Sequence, residues 1–349
     1  MKAGGSLKII IAIIIFSIII LIHEFGHFLL AKKNGICVTE FCLGMGPTLF
    51  GFTKGETKYS VKLLPFGGAC MMLGEDEAVE DERSFGSKSV WARISVVIAG
   101  PLFNFLLAFL LSLFVVGSIG YDAPVIGEVI DGYPAKEAGL MAGDKIIKMG
   151  NENIRVYREI SLYNQYNESQ TIDIVFERDG ERHTVTLSNK QDESGRYLFG
   201  FAKGGARQKG NVLDVIKYSV YEVRFWIKTT IKSLGMIFKG RVSMDDLSGP
   251  VGIVNVIGDT YEKSVPSGVF IVSINMLNIA ILLTANVGVM NLLPIPALDG
   301  GRLLFLIIEL IRGKRFNQEK EGMVNFVGLI LLMLLMFAIM INDIKNLFV

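Results

Sequence analysis

Ile18-Ile19-Ile20-Leu21-Ile22-His23-Glu24-Phe25-Gly26-His27-Phe28-Leu29-Leu30-Ala31 sets two imidazoles and a carboxylate near the end of an apolar run that begins at Leu7. As a helix rising about 1.5 Å per residue, Leu7 to Ala31 is long enough to cross a hydrocarbon core of about 30 Å. Ionisable groups at the centre of such a helix cost at least about 2.5–3.5 kcal/mol each and usually mark function. Histidines at i and i+4 share one helix face with Cβ atoms about 5–6 Å apart, so His23 and His27 can both reach one metal at about 2.0–2.1 Å. Glu24 is then free to act on water beside that metal. The chain has only three histidines, and two of them bracket this glutamate.

Composition points the same way. The 349 residues are 51% hydrophobic and 20% charged, with a mean hydropathy of +0.46, too apolar for an ordinary soluble chain of this size. Further apolar runs at Ile94–Ile119, Val269–Met290 and Met323–Ile341 bring the expected spans to about four. A cleaved signal peptide is the rival reading of the first run, but the run is too long and no small-residue cleavage site follows it. With 35 Lys+Arg against 34 Asp+Glu, a net of +1, there is no basic field to hold nucleic acid. Cys37, Cys42 and Cys70 cannot all pair and are read as cytosolic free thiols.

Basic residues set the orientation. Lys32, Lys33, Lys54, Lys58, Lys62, Arg83 and Lys88 lie between the first two spans, and Arg312, Lys314, Arg315 and Lys320 between the last two. Both segments are expected in the cytoplasm, which puts the termini and Gly120 to about Gly268 outside. Within the first segment, strand-like Phe41–Leu43, Thr48–Phe52 and Tyr59–Leu64 surround Lys54-Gly55-Glu56, and the cluster Glu75 to Arg83 reads as a solvated face.

From Pro124 to about Ala202 short β-rich runs alternate with turns, and Thr171–Arg178 and His183–Leu187 flank Asp179-Gly180, a hairpin signal. Tyr133-Pro134-Ala135-Lys136-Glu137-Ala138-Gly139-Leu140-Met141-Ala142-Gly143-Asp144-Lys145-Ile146 resembles the motif of bacterial PDZ domains. Such domains add an extended peptide to a sheet edge. Val212 to Phe238 mixes apolar and basic residues at helical spacing and reads as either an amphipathic helix on the outer membrane face or a linker helix.

A hydrolytic zinc usually has three protein ligands and one open position, so two histidines are incomplete. After the third apolar run comes Asn291-Leu292-Leu293-Pro294-Ile295-Pro296-Ala297-Leu298-Asp299-Gly300-Gly301, whose prolines and glycines must interrupt a helix. Irregular backbone at membrane depth survives only where protein or a water-filled cavity covers it. Asp299 is the candidate third ligand; a turn aspartate is the competing reading.

Together these motifs resemble the site-2 protease family of intramembrane zinc metalloproteases, in its bacterial RseP-like branch. Leu64-Pro65-Phe66-Gly67-Gly68 and Leu73-Gly74-Glu75-Asp76 are similar to that family's cytosolic β-loop, Gly100-Pro101-Leu102-Phe103-Asn104 to its second-span signature, and Leu247-Ser248-Gly249-Pro250-Val251-Gly252-Ile253 to the segment before the third span. Ala69-Cys70 departs from the aromatic and β-branched pair of many relatives. The resemblance implies a polytopic α-helical membrane protein of about four transmembrane helices, with a membrane-associated β-loop and an inserted extracytoplasmic PDZ-like α+β domain. The expected divisions are 1–31, 32–90, 91–120, 121–206 (PDZ-like), 207–264, 265–311 and 312–349.

It also implies one zinc ion per chain held by His23, His27 and Asp299, with Glu24 as catalytic base. Asn291, Pro294, Asn104, Gly67 and Gly68 become candidates for contacting substrate, and Phe199 and Gly200, in Leu198-Phe199-Gly200-Phe201, for the peptide-binding loop of the PDZ-like domain. The expected partners are single-span membrane proteins or peptides, trimmed beforehand, and the lipid bilayer of the bacterial plasma membrane. The expected active site lies near the cytosolic side, some 7–8 Å from the basic boundary at Lys32. A non-catalytic scaffold or metal transporter is the competing function. A transporter would string its ligands along a path, whereas these converge on one site.

Overall fold

The structure is a computed structural model that describes residues 2–77, 79–166, 169–188, 190–191, 197–241 and 248–346. In chain order, α1 (Lys2–Lys33) leads into the strands β1 (Val38–Lys54) and β2 (Thr57–Met72), then α2 (Val90–Ile119). There follow β3 (Ile126–Val129), α3 (Pro134–Glu137), β4 (Lys145–Met149), β5 (Glu152–Asn153), α4 (Arg158–Tyr166), β6 (Thr171–Arg178), β7 (Glu181–Ser188), β8 (Lys190–Gln191), β9 (Tyr197–Leu198) and β10 (Phe201–Lys203). The chain continues as α5 (Val212–Phe238), α6 (Pro250–Ser264), α7 (Val269–Asn291), α8 (Asp299–Arg312) and α9 (Gln318–Asn346). Leu7–Lys33, Val90–Ile119, Val269–Asn291 and Lys320–Lys345 are long and apolar enough to cross a membrane. Helix is the form such segments take, because hydrocarbon offers no partner to an open backbone. Two compact units result, one of Met1–Leu111 with Leu234–Val349 and one of Ser112–Ser233.

In the first unit, α1 buries one stripe and exposes another. Ala12, Ile15 and Ile19 pack against Ile257 of α6 and Ile279 and Leu283 of α7, while Ile10, Ile14 and Ile18 stay exposed. The buried stripe repeats every three to four residues, so it carries on to His23 and His27. A second core joins Ala31, Ile36, Val38, Cys70, Met72, Phe85, Val96, Val97 and Leu306. Arg93 of α2 and Glu309 of α8, both buried, pair through two bonds of 2.5 and 3.1 Å and tie those helices together.

The strands β1 and β2 each bend and pair twice. Glu40–Leu43 lies between Lys58–Val61 on one side and Gly68–Met71 on the other, and Phe50–Lys54 pairs with the far side of Thr57–Val61. The bends fall at Gly44 (φ 91°), Gly46 (φ 87°) and Gly67 (φ 79°), conformations that favour glycine. Of the strands expected from sequence, Phe41–Leu43 and Tyr59–Val61 are therefore interior, and the edge beside the helices is Gly68–Met71. Met45, Leu49, Phe50, Phe52, Leu63 and Leu64 are exposed on this sheet.

The segment Ser248–Ile253 begins α6, and its glycines have a packing reason; Leu247 lies outside the described residues. Asp343 of α9 accepts the Gly249 and Gly252 amides at 3.0 and 2.8 Å, capping α6 from another helix. A Cβ at Gly249 would come within 2.8 Å of the Asp343 carboxylate.

In the second unit, an antiparallel sheet ordered β5-β4-β6-β7 and the pair β10-β3 enclose Ile126, Leu140, Ile146, Met149, Ile174, Phe176 and Leu187. The β6–β7 turn is Asp179 (φ 54°) and Gly180 (φ 83°), the two left-handed residues that match strand twist in a two-residue hairpin. This unit reaches beyond 121–206 because α5 docks on it: Tyr218 and Phe225 pack with Val116, Val156 and Leu162. Glu159 is fully buried and is paired by Arg224 of α5 at 2.8 Å, while Lys228 and Lys232 each reach Glu152 at 2.6 Å. A buried carboxylate without such partners is strongly destabilising, so this part of α5 folds as part of the unit.

Candidate active site

His23 and His27 turn their Nε2 atoms toward each other at 3.2 Å. Asp299 Oδ2 lies 3.1 Å from the first and 3.4 Å from the second. A tetrahedral zinc with ligands at about 2.0–2.1 Å separates its donor atoms by roughly 3.3 Å, so the three atoms have the spacing of a zinc site. Asp299 Oδ2 is also buried without a hydrogen-bond partner, a costly arrangement that a cation would resolve. Among the described residues this is the group of His, Cys and acidic side chains placed to hold a metal. The donor set, two imidazoles and one carboxylate, suits zinc.

Backbone geometry brings the ligands together. α7 stops at Asn291, the chain turns through Pro294, Ile295, Pro296 and Ala297 (φ 72°), and α8 starts at Asp299 itself. A Cβ at Gly300 would run into the backbone of Leu292 and Leu293, and one at Gly301 into that of Ile295 and Pro296. The Asp-Gly-Gly sequence thus lets α8 fold back against the turn. On the other side α2 crosses α1 closely, with Gly26 against the Ala99 carbonyl and Gly100 against both imidazoles. His27 Nδ1 lies 2.9 Å from the Val96 carbonyl oxygen, which can only accept, so the Nε2 lone pair points to the ligand cluster.

A cavity of about 540 Å³ opens on this group. Glu24, Ile20, Val287 and Asn291 line it together with Gly67, Gly68, Ala69, Cys70, Met71 and Met72. Gly68 lies against the Glu24 side chain: a Cβ there would come within 3.1 Å of Glu24 Cγ and 2.8 Å of Ile20 Cγ2. Asn291 Nδ2 is 3.4 Å from His23 Nε2.

Other sequence candidates fall elsewhere. Pro294 is exposed in the turn and is absent from the cavity wall. Asn104 has no exposed surface, and its amide meets His23 Nδ1 at 3.0 Å rather than facing the cavity. Phe199 and Gly200 belong to the second unit, where they line a cavity of about 210 Å³ with Tyr133, Tyr157, Ile160 and Phe201.

Two cavity residues escaped the sequence reading. Arg302, one turn after Asp299 on α8, pairs with Glu75 and with Asp76, the latter at 2.5 Å, and Glu75 accepts the Met72 amide at 3.3 Å. Glu75 is thus a largely buried cavity residue and not part of a solvated face; burial pushes its carboxyl up from the usual range, with Arg302 acting against that shift. Its partner sits 227 positions away, so no local pattern announces the pair. Gly100 was legible only as part of a motif; its position under the imidazoles is a tertiary fact.

Comparison with known proteins agrees with this geometry. The sequence model of peptidase family M50 matches residues 11–335. A relative from Clostridium acetobutylicum is 39% identical over 338 residues, 97% of each chain. The zinc metalloprotease RasP of Bacillus licheniformis is 34% identical, covering 97% of this chain and 99% of the relative. The regulator of sigma-W protease RasP of Bacillus subtilis is 33% identical with the same coverage. Among solved structures, the PDZ domain of an SdrC-like protein from Listeria monocytogenes is similar over 24% of this chain and 88% of its own, at 21% identity and a TM-score of 0.21, too low to define a fold. Family match, relatives matched over nearly their whole length and a zinc-spaced triad beside a glutamate converge: the chain belongs to peptidase family M50 and is a zinc metalloprotease.

Proposed function

We propose that this protease cuts peptide bonds in or near transmembrane segments of membrane proteins already trimmed by another enzyme, as one step of regulated intramembrane proteolysis. The observation that carries the reading is the convergence of His23 Nε2 and His27 Nε2, on a helix apolar enough to span a membrane, with Asp299 Oδ2 from the start of α8, beside Glu24. His23, His27 and Asp299 would hold the zinc, which would supply an activated water and polarise a carbonyl. Glu24, on the wall of the same cavity, serves as the base and returns the proton to the leaving amine. Asn291, at the same cavity, steadies the substrate carbonyl.

A spanning helix hides its peptide bonds, and an unwound one in lipid leaves polar groups unpaired at several kcal/mol each. The Gly68–Met71 edge, which pairs on one side with Glu40–Leu43 and with no other described strand on the outer side, supplies replacement partners by strand addition. The exposed apolar residues of that sheet support its lying against the bilayer. Water reaches the site from the basic, cytosolic side; a cavity of about 370 Å³ lined by Asp76, Asp299, Arg302 and Asn325 shares a wall with the main one. The second unit lies outside the cell and works as a PDZ-like filter, taking a trimmed C-terminus at Phe199 and Gly200. The substrate classes we propose are anti-sigma factors and signal-peptide remnants, the first in keeping with a relative named regulator of sigma-W protease.

The deciding experiment uses purified full-length protein and a single-span test substrate, comparing wild type with Glu24→Gln and measuring bound zinc in both. Cleavage lowered roughly 10²–10⁴-fold with zinc retained is the expected result. Equal cleavage by both proteins removes this mechanism.

A further inference from the structure

We propose that Asn104 is a positioning residue for the metal site: its side-chain carbonyl accepts the Nδ1–H of His23 and so fixes which nitrogen of that ring faces the metal. The inference rests on His23 as a zinc ligand.

The two imidazoles present Nε2 to the ligand cluster, since Nε2 is the atom within 3.2 Å of the other ring and 3.1 or 3.4 Å of Asp299. A nitrogen that gives its lone pair to a cation carries no hydrogen, so in a neutral ring the single proton sits on Nδ1 and must find an acceptor. His27 meets this need with the Val96 carbonyl. For His23 the partner 3.0 Å away is the Asn104 amide, shown with Nδ2 toward the ring. That orientation sets a donor against a donor. It also leaves Asn104 Oδ1 buried with no hydrogen-bond partner.

Oxygen and nitrogen of a carboxamide exchange places by a half-turn about the last side-chain bond, and their assignment follows from the hydrogen-bond network. The half-turn moves the carbonyl from a place with no donor to a place where the His23 Nδ1–H points. Asn104 is well held for this task. Its main-chain carbonyl oxygen accepts the Thr284 hydroxyl at 3.1 Å, and both residues are completely buried between α2 and α7. The same burial separates Asn104 from any substrate in the main cavity, whose wall does not include it.

The test measures zinc itself. Full-length protein in detergent is stripped with a chelator, and zinc affinity is read by competition with a chromophoric chelator for wild type, Asn104→Asp and Asn104→Leu. Aspartate keeps an acceptor oxygen in the same place and should hold zinc within a few-fold of wild type; leucine, similar in size but without an acceptor, should bind roughly 10–100-fold more weakly. Leucine binding like wild type, or aspartate losing as much as leucine, overturns the proposal. A readout that needs no variant at this position guards against misfolding. With 15N-histidine in the zinc-loaded protein, His183→Gln identifies the third ring, and both remaining rings, His23 and His27, should show a proton on Nδ1. A proton on Nε2 refutes the assignment. Should wild type itself bind no zinc, the ligand set fails rather than Asn104 alone.

Discussion

Gly100 of α2 lies directly against the imidazole of His27, so near that a Cβ at this position would overlap the ring and come within 2.8 Å of His23 Cε1 as well. The close approach of α1 and α2 is what lets the main chain of one helix form the floor under the ligands of the other. Gly100→Ala should therefore lose zinc, because the methyl displaces both rings from the common point. Zinc content after dialysis measures this directly, and stoichiometric zinc in the variant would show that the floor yields.

The Arg302–Glu75 pair links the helix that begins with Asp299 to the loop that follows the Gly68–Met71 edge. Removing one partner leaves the other buried without compensation, typically about 3–5 kcal/mol. Arg302→Met should accordingly lower thermal stability and cleavage, and Arg302→Met combined with Glu75→Gln should recover part of the stability. A double variant no more stable than the single one would mean that the pair is not coupled.

Edge pairing with substrate predicts a specific kinetic pattern. Ala69→Pro removes one backbone donor from the edge strand without touching a ligand. Zinc should be retained while cleavage of the single-span substrate falls. Normal cleavage by this variant would discard strand addition.

Docking of α5 on the second unit should weaken in acid. Burial works against the ionised form of Glu152, but Lys228 and Lys232 prevail and hold its carboxyl below the ordinary value of 4.5. The folded unit therefore gives up this proton more readily than the unfolded chain, and the stabilisation is complete above pH 4.5 and lost as pH falls through the lower folded value. Trp226 on α5 lies under the Arg158 guanidinium at 5.2 Å and reports docking by fluorescence. A Lys228→Met, Lys232→Met variant should lose most of the acid dependence; an unchanged profile would assign it to other groups.

Sequence alone determined the local features whose signals are periodic or compact. Apolar runs of spanning length give helices because hydrocarbon permits little else. The i, i+4 histidines share a face because the helix repeat requires it. Asp179-Gly180 forms the hairpin turn because its two residues tolerate positive φ. The pairing of the histidine motif with the distant Asp-Gly-Gly motif was legible as a resemblance, and the structure adds the spacing.

The tertiary structure decided which strand is the edge, where Asn104 points, and which charges are buried. Bends at Gly44, Gly46 and Gly67 fold two long strands into four paired segments, so Gly68–Met71 and not Tyr59–Val61 faces the cavity. Glu75 reads as a surface charge until Arg302 arrives from another helix. Gly100 matters only because a second helix presses on it. Each of these depends on contacts between residues far apart in the chain, and no local propensity records what will stand opposite a side chain once the helices have packed.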